Sequence, residues 1–263
     1  MELIKIKNIN DKNLKIYHQM RDNAFDELNS FVADSPKVVN ILLQSKLELK
    51  SKLELKSILA TKEYFEEFKS LLEQRDDLLC YEATKEQMQT LVGHKIHHNC
   101  MLQGIRPKEN ALDELGKNIL MLDNITSSEN VGSIARSMAG LGVGSYLLPK
   151  ESPHPYGRRA LRVSMGYMSR LKYCIYDDIL STIDKLKAEG YKIYAAELTS
   201  NSIPLKDVKV SDKWVLIMGS EGHGISKEVL EVCDEVVNIE MMQDVKSFNV
   251  SVAASIMMYK FVN

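Results

Sequence analysis

The chain has 263 residues, of which 44% are hydrophobic and 27% are charged, and its formal net charge is −2. This composition suffices for a packed core, and no apolar run approaches the ~20 residues that a membrane-spanning helix needs. We therefore predict no membrane segment, and the polar amino terminus predicts no signal peptide. The four cysteines are scattered without a CxxC pair, which favours the reducing cytoplasm over a disulfide framework.

The predicted elements fall into three regions. Residues 1–30 are rich in charge and predict a helical leader. Residues 31–107 alternate between helix-like and strand-like stretches and predict a small α/β domain, followed by a polar linker. In residues 116–263, short apolar runs alternate with helical patterns, which predicts an α/β domain with a parallel sheet and crossover helices. Its strand candidates are residues 119–122, 145–148, 191–195, 214–218 and 235–239. Its helix candidates are residues 131–141, 178–188, 227–233 and 250–261.

A six-residue repeat lies in the small domain, where the sequence SKLELK at residues 45–50 recurs at residues 51–56. Six extra residues preserve the alternating faces of a strand, but they rotate the rest of a helix by about 240°. We therefore expect the second copy to be looped out or to extend the end of an element.

Positive charge is clustered although the net charge is slightly negative. Five basic residues lie within fifteen positions: Arg158, Arg159, Arg162, Arg170 and Lys172. The net charge argues weakly against a nucleic-acid partner, but binding requires only a local basic face. A solvated surface is the alternative interpretation of such a run.

Residues 94–100 contain four possible metal ligands, His94, His97, His98 and Cys100. The spacing HxxHHxC matches no established zinc pattern, so we predict no metal. RNA contact or simple exposure is the interpretation that we favour for these side chains.

The first segment with a chemical signature covers residues 123–144. An apolar stripe at helical spacing is formed by Val131, Ile134, Met138 and Leu141. Gly132, Arg136 and Gly140 share another face, where small residues let a phosphate approach the guanidinium closely. Helix packing with a surface arginine is the alternative. Asn130 stands at the predicted helix start, where it is either an N-cap or a functional residue.

The second segment, residues 215–226, runs from a buried strand into a loop with Gly219, Gly222 and Gly224. Such a loop lets main-chain groups face a ligand at the carboxyl end of a strand, where open α/β sheets bind ligands. The loop does not match the GxGxxG motif of dinucleotide-binding proteins, and it lacks the Lys-Ser/Thr pair of a P-loop. Glu221, between the glycines, could bind a positively charged or donor-rich group.

The third segment covers residues 237–259. Its helical stripe consists of Val250, Ala253, Ala254, Met257, Met258 and Phe261, which we interpret as core or oligomer contact. Ser247 and Asn249 precede this helix. They could cap it, or they could line a ligand pocket together with Phe248.

Together the three segments resemble the signature motifs of the SpoU family, also called the TrmH family, of RNA ribose methyltransferases. The matching residues are Asn130, Gly132 and Arg136 in the first motif, Gly219, Glu221, Gly222 and Gly224 in the second, and Ser247 and Asn249 in the third. Their order and spacing fit over roughly 140 residues. Two positions depart from the pattern, because no proline lies near Ser128 and Phe248 replaces the usual leucine.

The resemblance implies a carboxyl-terminal α/β domain with a trefoil knot, a rare feature of proteins. It implies that residues 31–107 are a smaller α/β RNA-binding domain and that the protein is a homodimer, with Arg136 near the cofactor of the partner. It also implies binding of S-adenosylmethionine, partly through main-chain groups, by Leu198, Gly219, Ile239, Ser247 and Phe248.

The implied reaction is methylation of a ribose 2′-hydroxyl of tRNA or rRNA. The family assigns activation of that hydroxyl to the arginine, here Arg136. Because a guanidinium has a pKa above ~12, we expect Arg136 to anchor a phosphate and stabilise the developing alkoxide. The proton acceptor stays open between a phosphate oxygen, Glu221 and water. Asn130 and Asn249 would orient the ribose or the loop.

Two alternative functions stay open on the sequence. One is a base methyltransferase of the wider knotted superfamily, which the Asn-x-Gly-x-x-x-Arg motif disfavours. The other is a non-catalytic RNA-binding or ribosome-assembly protein, which the presence of Arg136, Glu221 and Asn249 together disfavours. The sequence does not identify the RNA or the nucleotide that is modified.

Overall fold

The computed structural model describes residues 3–18, 29–49, 53–220, 222–245 and 247–263. The described residues divide between two compact units, each with its own sheet. The first unit contains Met1–Lys108 and His154–Arg170, and the second contains Glu109–Pro153 and Leu171–Asn263. The chain therefore passes between the units three times.

The described strands of the first unit form a sheet in the order β1-β4-β3-β5-β2. Strand β5 is antiparallel to both β3 and β2, and the β1–β4 and β4–β3 pairs are parallel. The strands are β1 Leu3–Lys5, β2 Ser30–Asp34, β3 Glu54–Ala60, β4 Leu79–Glu82 and β5 Cys100–Ile105. The helices are α1 Pro36–Leu49, α2 Lys62–Glu67, α3 Lys69–Leu72 and α4 Lys85–Val92, with 3-10 helices at Lys12–His18 and Tyr167–Arg170.

The amino-terminal region differs from the predicted helical leader. Leu3–Lys5 is a strand that pairs in parallel with β4, and Lys12–His18 is a 3-10 helix that buries Leu14 and Tyr17. The sequence IKIK at residues 4–7 alternates apolar and charged residues, which favours a strand over a helix. The part of the predicted leader at residues 19–28 lies outside the described residues.

The SKLELK repeat extends the ends of two elements, which was one of the two expected outcomes. Residues 45–49 of the first copy form the last turns of α1, and residues 54–56 of the second copy begin β3. Leu53, just before β3, and Leu55 are buried. The described residues of the two copies therefore differ, with helix in the first and mainly strand in the second, because the copies meet different tertiary surroundings.

The second unit contains a parallel sheet with its described strands in the order β10-β12-β9-β11-β6-β7-β8. The strands are β6 Asn118–Leu122, β7 Ser145–Pro149, β8 Lys172–Tyr176, β9 Lys192–Ala196, β10 Ile203–Pro204, β11 Trp214–Met218 and β12 Glu235–Asn238. The helices are α5 Ser128–Leu141, α7 Ile179–Ala188, α8 Lys227–Val232 and α9 Val250–Val262, with 3-10 helices at Leu112–Glu114 and Leu205–Asp207. The prediction of an α/β domain with a parallel sheet is confirmed.

The centre of this sheet is apolar on both faces. Every residue of β11 is buried, as the run WVLIM predicts for a central parallel strand. One buried cluster includes Ile119, Met121, Leu147, Ile183, Val215 and Ile217. Strands β6, β7 and β8 continue the sheet on one side of β11, and β9 and β12 continue it on the other. Such a reversal of strand order places a ligand crevice at the carboxyl ends of the strands. Within the described ranges, no helix is both long and apolar enough to cross a membrane.

The segment His154–Arg170 packs in the first unit, although it interrupts the second unit in sequence. Its helix α6, Arg158–Val163, packs against β2, where the buried Asp34 accepts hydrogen bonds from Arg158 and Arg162. Gly166, with φ +82°, lies where a Cβ would meet the Val38 carbonyl oxygen at 3.0 Å. The sequence suggested a basic surface here, but the structure shows that two of its arginines hold the segment in place.

Candidate functional site

A pocket of about 200 Å³ lies at the carboxyl ends of β9, β11 and β12, entirely within the second unit. Five of its lining residues are the five that the sequence predicts as cofactor-binding: Leu198, Gly219, Ile239, Ser247 and Phe248. Leu198 follows β9, Gly219 follows β11 and Ile239 follows β12, while Ser247 and Phe248 precede α9. Three separate loops therefore converge on one pocket.

The lining of the pocket is mostly apolar. Its apolar side chains include Leu198, Met218, Ile239, Met241, Phe248, Val250 and Met257. Leu198 is 57% exposed and Phe248 is 40% exposed, so both offer apolar surface to a ligand in the pocket. A flat apolar ring with a few polar groups suits such a lining.

The glycine-rich loop after β11 is tied to the end of β9 by Glu197. One carboxylate oxygen of Glu197 accepts from the Ile225 N–H at 2.9 Å, and the other accepts from the Leu198 N–H at 3.0 Å. Gly224 has φ +67°, and a Cβ there would lie 2.2 Å from a Glu197 oxygen. Gly224 is therefore a glycine because its backbone conformation and the approach of Glu197 both exclude a side chain.

Glu197 lines the pocket and was not predicted from the sequence. The available signal was an acidic residue directly after the buried strand β9, at the edge of the sheet where ligands bind. The predicted catalytic residue Glu221 lies outside the described residues, so its position stays a prediction.

The first and third motifs meet through their asparagines. The side-chain N–H of Asn249 donates to the Asn130 side-chain oxygen at 3.1 Å, although 119 residues separate them. Asn249 is the N-cap of α9, and its oxygen accepts from the Ser251 N–H at 3.0 Å, as predicted for a cap. Asn130 is not an N-cap, because Ser127 caps α5 and accepts from the Asn130 N–H. Asn130 is instead buried beside the start of α9.

Arg136 is exposed on α5 and is not among the described residues that line the pocket. The apolar face of α5 buries Val131, Ile134 and Met138, as predicted. Helix α5 packs against α9, where the Ser255 hydroxyl donates to the Ser137 hydroxyl at 2.7 Å. The structure therefore brings the two asparagines together but does not place Arg136 among the described residues that line the pocket of its own chain.

The apolar stripe of α9 belongs mainly to the core of the unit. Its buried members are Val250, Ala254, Met257, Met258 and Phe261. Another face of the same helix is exposed and carries Val252, Ile256 and Tyr259 at helical spacing.

His94, His97, His98 and Cys100, the possible metal ligands in the sequence, do not form a metal-binding group in the structure. In the part of the chain that the structure describes, no group of three or more His, Cys, Asp and Glu side chains could hold a metal ion. His94 and His97 are exposed. The pKa of His98 is lowered by its burial, and Arg162 and Arg158 lie near it together with the carboxylate of Asp34.

Comparison with known proteins gives the same family as the motifs. The model of the SpoU rRNA Methylase family matches residues 117–259, more than half of the chain. A "Putative TrmH family tRNA/rRNA methyltransferase" of Staphylococcus saprophyticus is 33% identical over 153 residues, which is 58% of this chain and 61% of the relative. The match thus spans about three fifths of the length of the curated relatives.

Two solved structures share the fold over nearly the whole chain. An AdoMet-bound rRNA methyltransferase from Sinorhizobium meliloti has a TM-score of 0.82 at 19% identity and covers 98% of this chain and 97% of its own. An RNA 2′-O ribose methyltransferase has a TM-score of 0.76 at 16% identity and covers 99% and 98%. With residues of the second and third motifs at one pocket and the family model matched over residues 117–259, the chain belongs to the SpoU rRNA Methylase family.

Proposed function

We propose that this protein is an S-adenosylmethionine-dependent RNA methyltransferase that methylates a ribose 2′-hydroxyl of tRNA or rRNA. The observation that carries the proposal is the pocket at the carboxyl ends of β9, β11 and β12, where residues from two of the motifs meet. The Asn130–Asn249 contact adds the remaining motif. The names of the relatives and structural neighbours support RNA as substrate, and one neighbour is named as a 2′-O ribose enzyme.

The pocket suits S-adenosylmethionine. Its apolar side chains could cover an adenine ring, and the main-chain carbonyl of Leu198 and the main chain at Gly219 and Ile239 could hydrogen-bond the ligand from three loops. Ser247 and Phe248 would close the site from the start of α9. When bound, this molecule supplies a methyl group on a positively charged sulfur, which needs no metal to become a good leaving group.

The residues around the pocket would position the RNA. Arg136 would bind a phosphate and stabilise negative charge on the 2′-oxygen, since a guanidinium does not act as a base at neutral pH. The proton of the hydroxyl would pass to a phosphate oxygen, Glu221 or water. The Asn130–Asn249 pair would hold the loop before α9 in a fixed position, which orients the ribose.

We propose that the enzyme works as a homodimer. Val252, Ile256 and Tyr259 form an exposed apolar stripe on α9, and Tyr259 is 64% exposed. A second copy that covers this stripe would bury apolar surface. Arg136 of one copy would then serve the pocket of the other, which would explain why it does not line the pocket of its own chain. We also propose that the second unit contains the trefoil knot that the family resemblance implies.

We propose that the first unit binds RNA and that the protein acts in the cytoplasm. Arg159 and Arg170 are exposed on the segment His154–Arg170, which packs in that unit. The four cysteines are free, as suits a reducing compartment.

The test is methyl transfer from radiolabelled S-adenosylmethionine to total tRNA and rRNA, followed by mass spectrometry of the nucleosides. We expect 2′-O-methylated nucleosides with the wild type and far fewer with Arg136→Ala. Methylated bases would instead support the base methyltransferase. RNA binding without transfer to any RNA would support the non-catalytic alternative.

A further inference from the structure

One charged side chain stands out in a largely apolar pocket. Among the described lining residues, Glu197 is the only one that is ionisable. Glu221 and Lys246 are sequence neighbours of the lining residues Ser220 and Ser247, but both lie outside the described residues. The part of the pocket wall that follows β9 therefore carries a negative charge, and no positively charged side chain is among the described lining residues.

The carboxylate of Glu197 is held in one orientation. Each oxygen accepts one main-chain N–H, from Ile225 at 2.9 Å and from Leu198 at 3.0 Å. A carboxylate oxygen can accept more than one hydrogen bond, so both oxygens keep acceptor capacity. The missing side chain of Gly224 leaves the room that the carboxylate occupies. A charge fixed in this way acts on a ligand without first having to reorganise.

We infer that Glu197 is a specificity-determining residue that makes the pocket prefer a positively charged sulfonium ligand over the neutral thioether product. The inference rests on the proposed function. S-adenosylmethionine carries one more positive charge than S-adenosylhomocysteine. In a pocket of about 200 Å³, a bound positive charge lies within roughly 10 Å of the carboxylate.

The preference has a consequence for the reaction cycle. When the methyl group leaves, its bond to sulfur breaks, the bond to the ribose oxygen forms, and the sulfur keeps the electron pair and becomes neutral. The hydroxyl proton goes to solvent through the acceptor. The attraction to Glu197 is then lost, so the product binds more weakly than the donor and leaves the pocket for the next donor molecule.

The test compares three ligands by calorimetry on the full-length protein: S-adenosylmethionine, S-adenosylhomocysteine and sinefungin, which has a charged amine in place of the methylated sulfur. Glu197→Gln removes the charge and keeps one of the two acceptor oxygens, because its NH2 group faces one of the two main-chain N–H donors. Loss of that hydrogen bond affects all three ligands alike, so we expect the two charged ligands to be weakened about five- to tenfold more than S-adenosylhomocysteine.

The matched control is Glu228→Gln, which removes the charge of an exposed carboxylate on α8 that is not among the described lining residues. We expect it to change the affinity for each of the three ligands less than twofold. If Glu197→Gln weakens all three alike, or none, Glu197 is only a support for the loop and the inference is wrong. If the wild type binds none of the three ligands, the proposed function fails, and the inference fails with it.

A second measurement does not depend on folding of the variant. Between ~0.01 M and ~1 M salt, the screening length falls from about 30 Å to about 3 Å. The preference of the wild type for the charged ligands should shrink over this range. A preference that does not change with salt would overturn the electrostatic explanation.

Discussion

The ion-pair cluster around Asp34 gives a quantitative prediction about the segment His154–Arg170. Asp34 is only 4% exposed and accepts from Arg158 Nε at 3.0 Å and from Arg162 Nε at 2.9 Å, with further bonds to the terminal nitrogens of both arginines. Asp34→Asn would place amide N–H donors against guanidinium donors and leave two positive charges without their partner. We therefore expect the first unit to lose stability and α6 to become more mobile.

The magnitude follows from burial. Removing one partner of a buried ion pair typically costs about 3–5 kcal/mol. The side chain of Arg162 is 37% exposed and that of Arg158 is 18% exposed, so solvent screens part of the loss. We expect Asp34→Asn to reduce the free energy of unfolding by about 2–3 kcal/mol at neutral pH.

The pH dependence has a definite sign. Burial alone would raise the pKa of Asp34, but hydrogen bonds and charges from Arg162 and Arg158 outweigh it and hold the pKa below its usual value. The carboxylate therefore stabilises the fold fully above the unfolded-state pKa of about 3.9, and this contribution is lost as the pH falls through the folded-state value. The difference between wild type and Asp34→Asn should shrink over that acidic range.

The assay is urea unfolding followed by circular dichroism, together with hydrogen exchange of the α6 amides by mass spectrometry. The matched control is Asp177→Asn, which breaks an ion pair with Lys150 in which both side chains are exposed, and it should leave the unfolding midpoint unchanged. A loss below about 0.5 kcal/mol for Asp34→Asn, with unchanged exchange in α6, would refute the reasoning.

Three further predictions concern the proposed enzyme. Arg136→Ala should slow single-turnover methyl transfer by about 10²–10³ while the affinity for S-adenosylmethionine stays the same, and Arg136→Lys should restore little because it lacks the planar fork. Asn249→Ala removes the cap of α9 and the contact to Asn130, so it should cost about 1 kcal/mol of stability and slow transfer, whereas Asn249→Ser should keep the cap but not the contact. Ile256→Lys should convert a dimer to a monomer in sedimentation velocity, and Glu228→Lys on α8 should not.

Each of these predictions has an outcome that contradicts it. An Arg136→Ala enzyme within about threefold of the wild-type rate would leave Arg136 as a surface charge. If Asn249→Ser transfers methyl groups as fast as the wild type, the contact to Asn130 has no role beyond capping. A wild-type protein that sediments as a monomer and is fully active would contradict the dimer and the exchange of Arg136 between copies.

Local patterns in the sequence were sufficient for much of the second unit. Short apolar runs bounded by turn residues predicted β6, β7, β9, β11 and β12 to within a residue or so at each end. The helical stripe of α5 and the loop that follows the buried strand β11 were also predicted correctly. These features depend on spacing along a few turns or on the backbone conformation of single residues, and a sequence shows both directly.

Other features depended on contacts between distant parts of the chain. The described residues of the SKLELK repeat are helix in the first copy (45–49) and strand in the second (54–56), which no local pattern could distinguish. Asp34 meets Arg158 and Arg162 across more than 120 positions, and Glu197 meets Ile225 across 28. A local pattern indicates which face of an element is buried but not what it packs against. Only the tertiary structure decided that His154–Arg170 packs in the first unit and that a charge lies in the wall of the pocket.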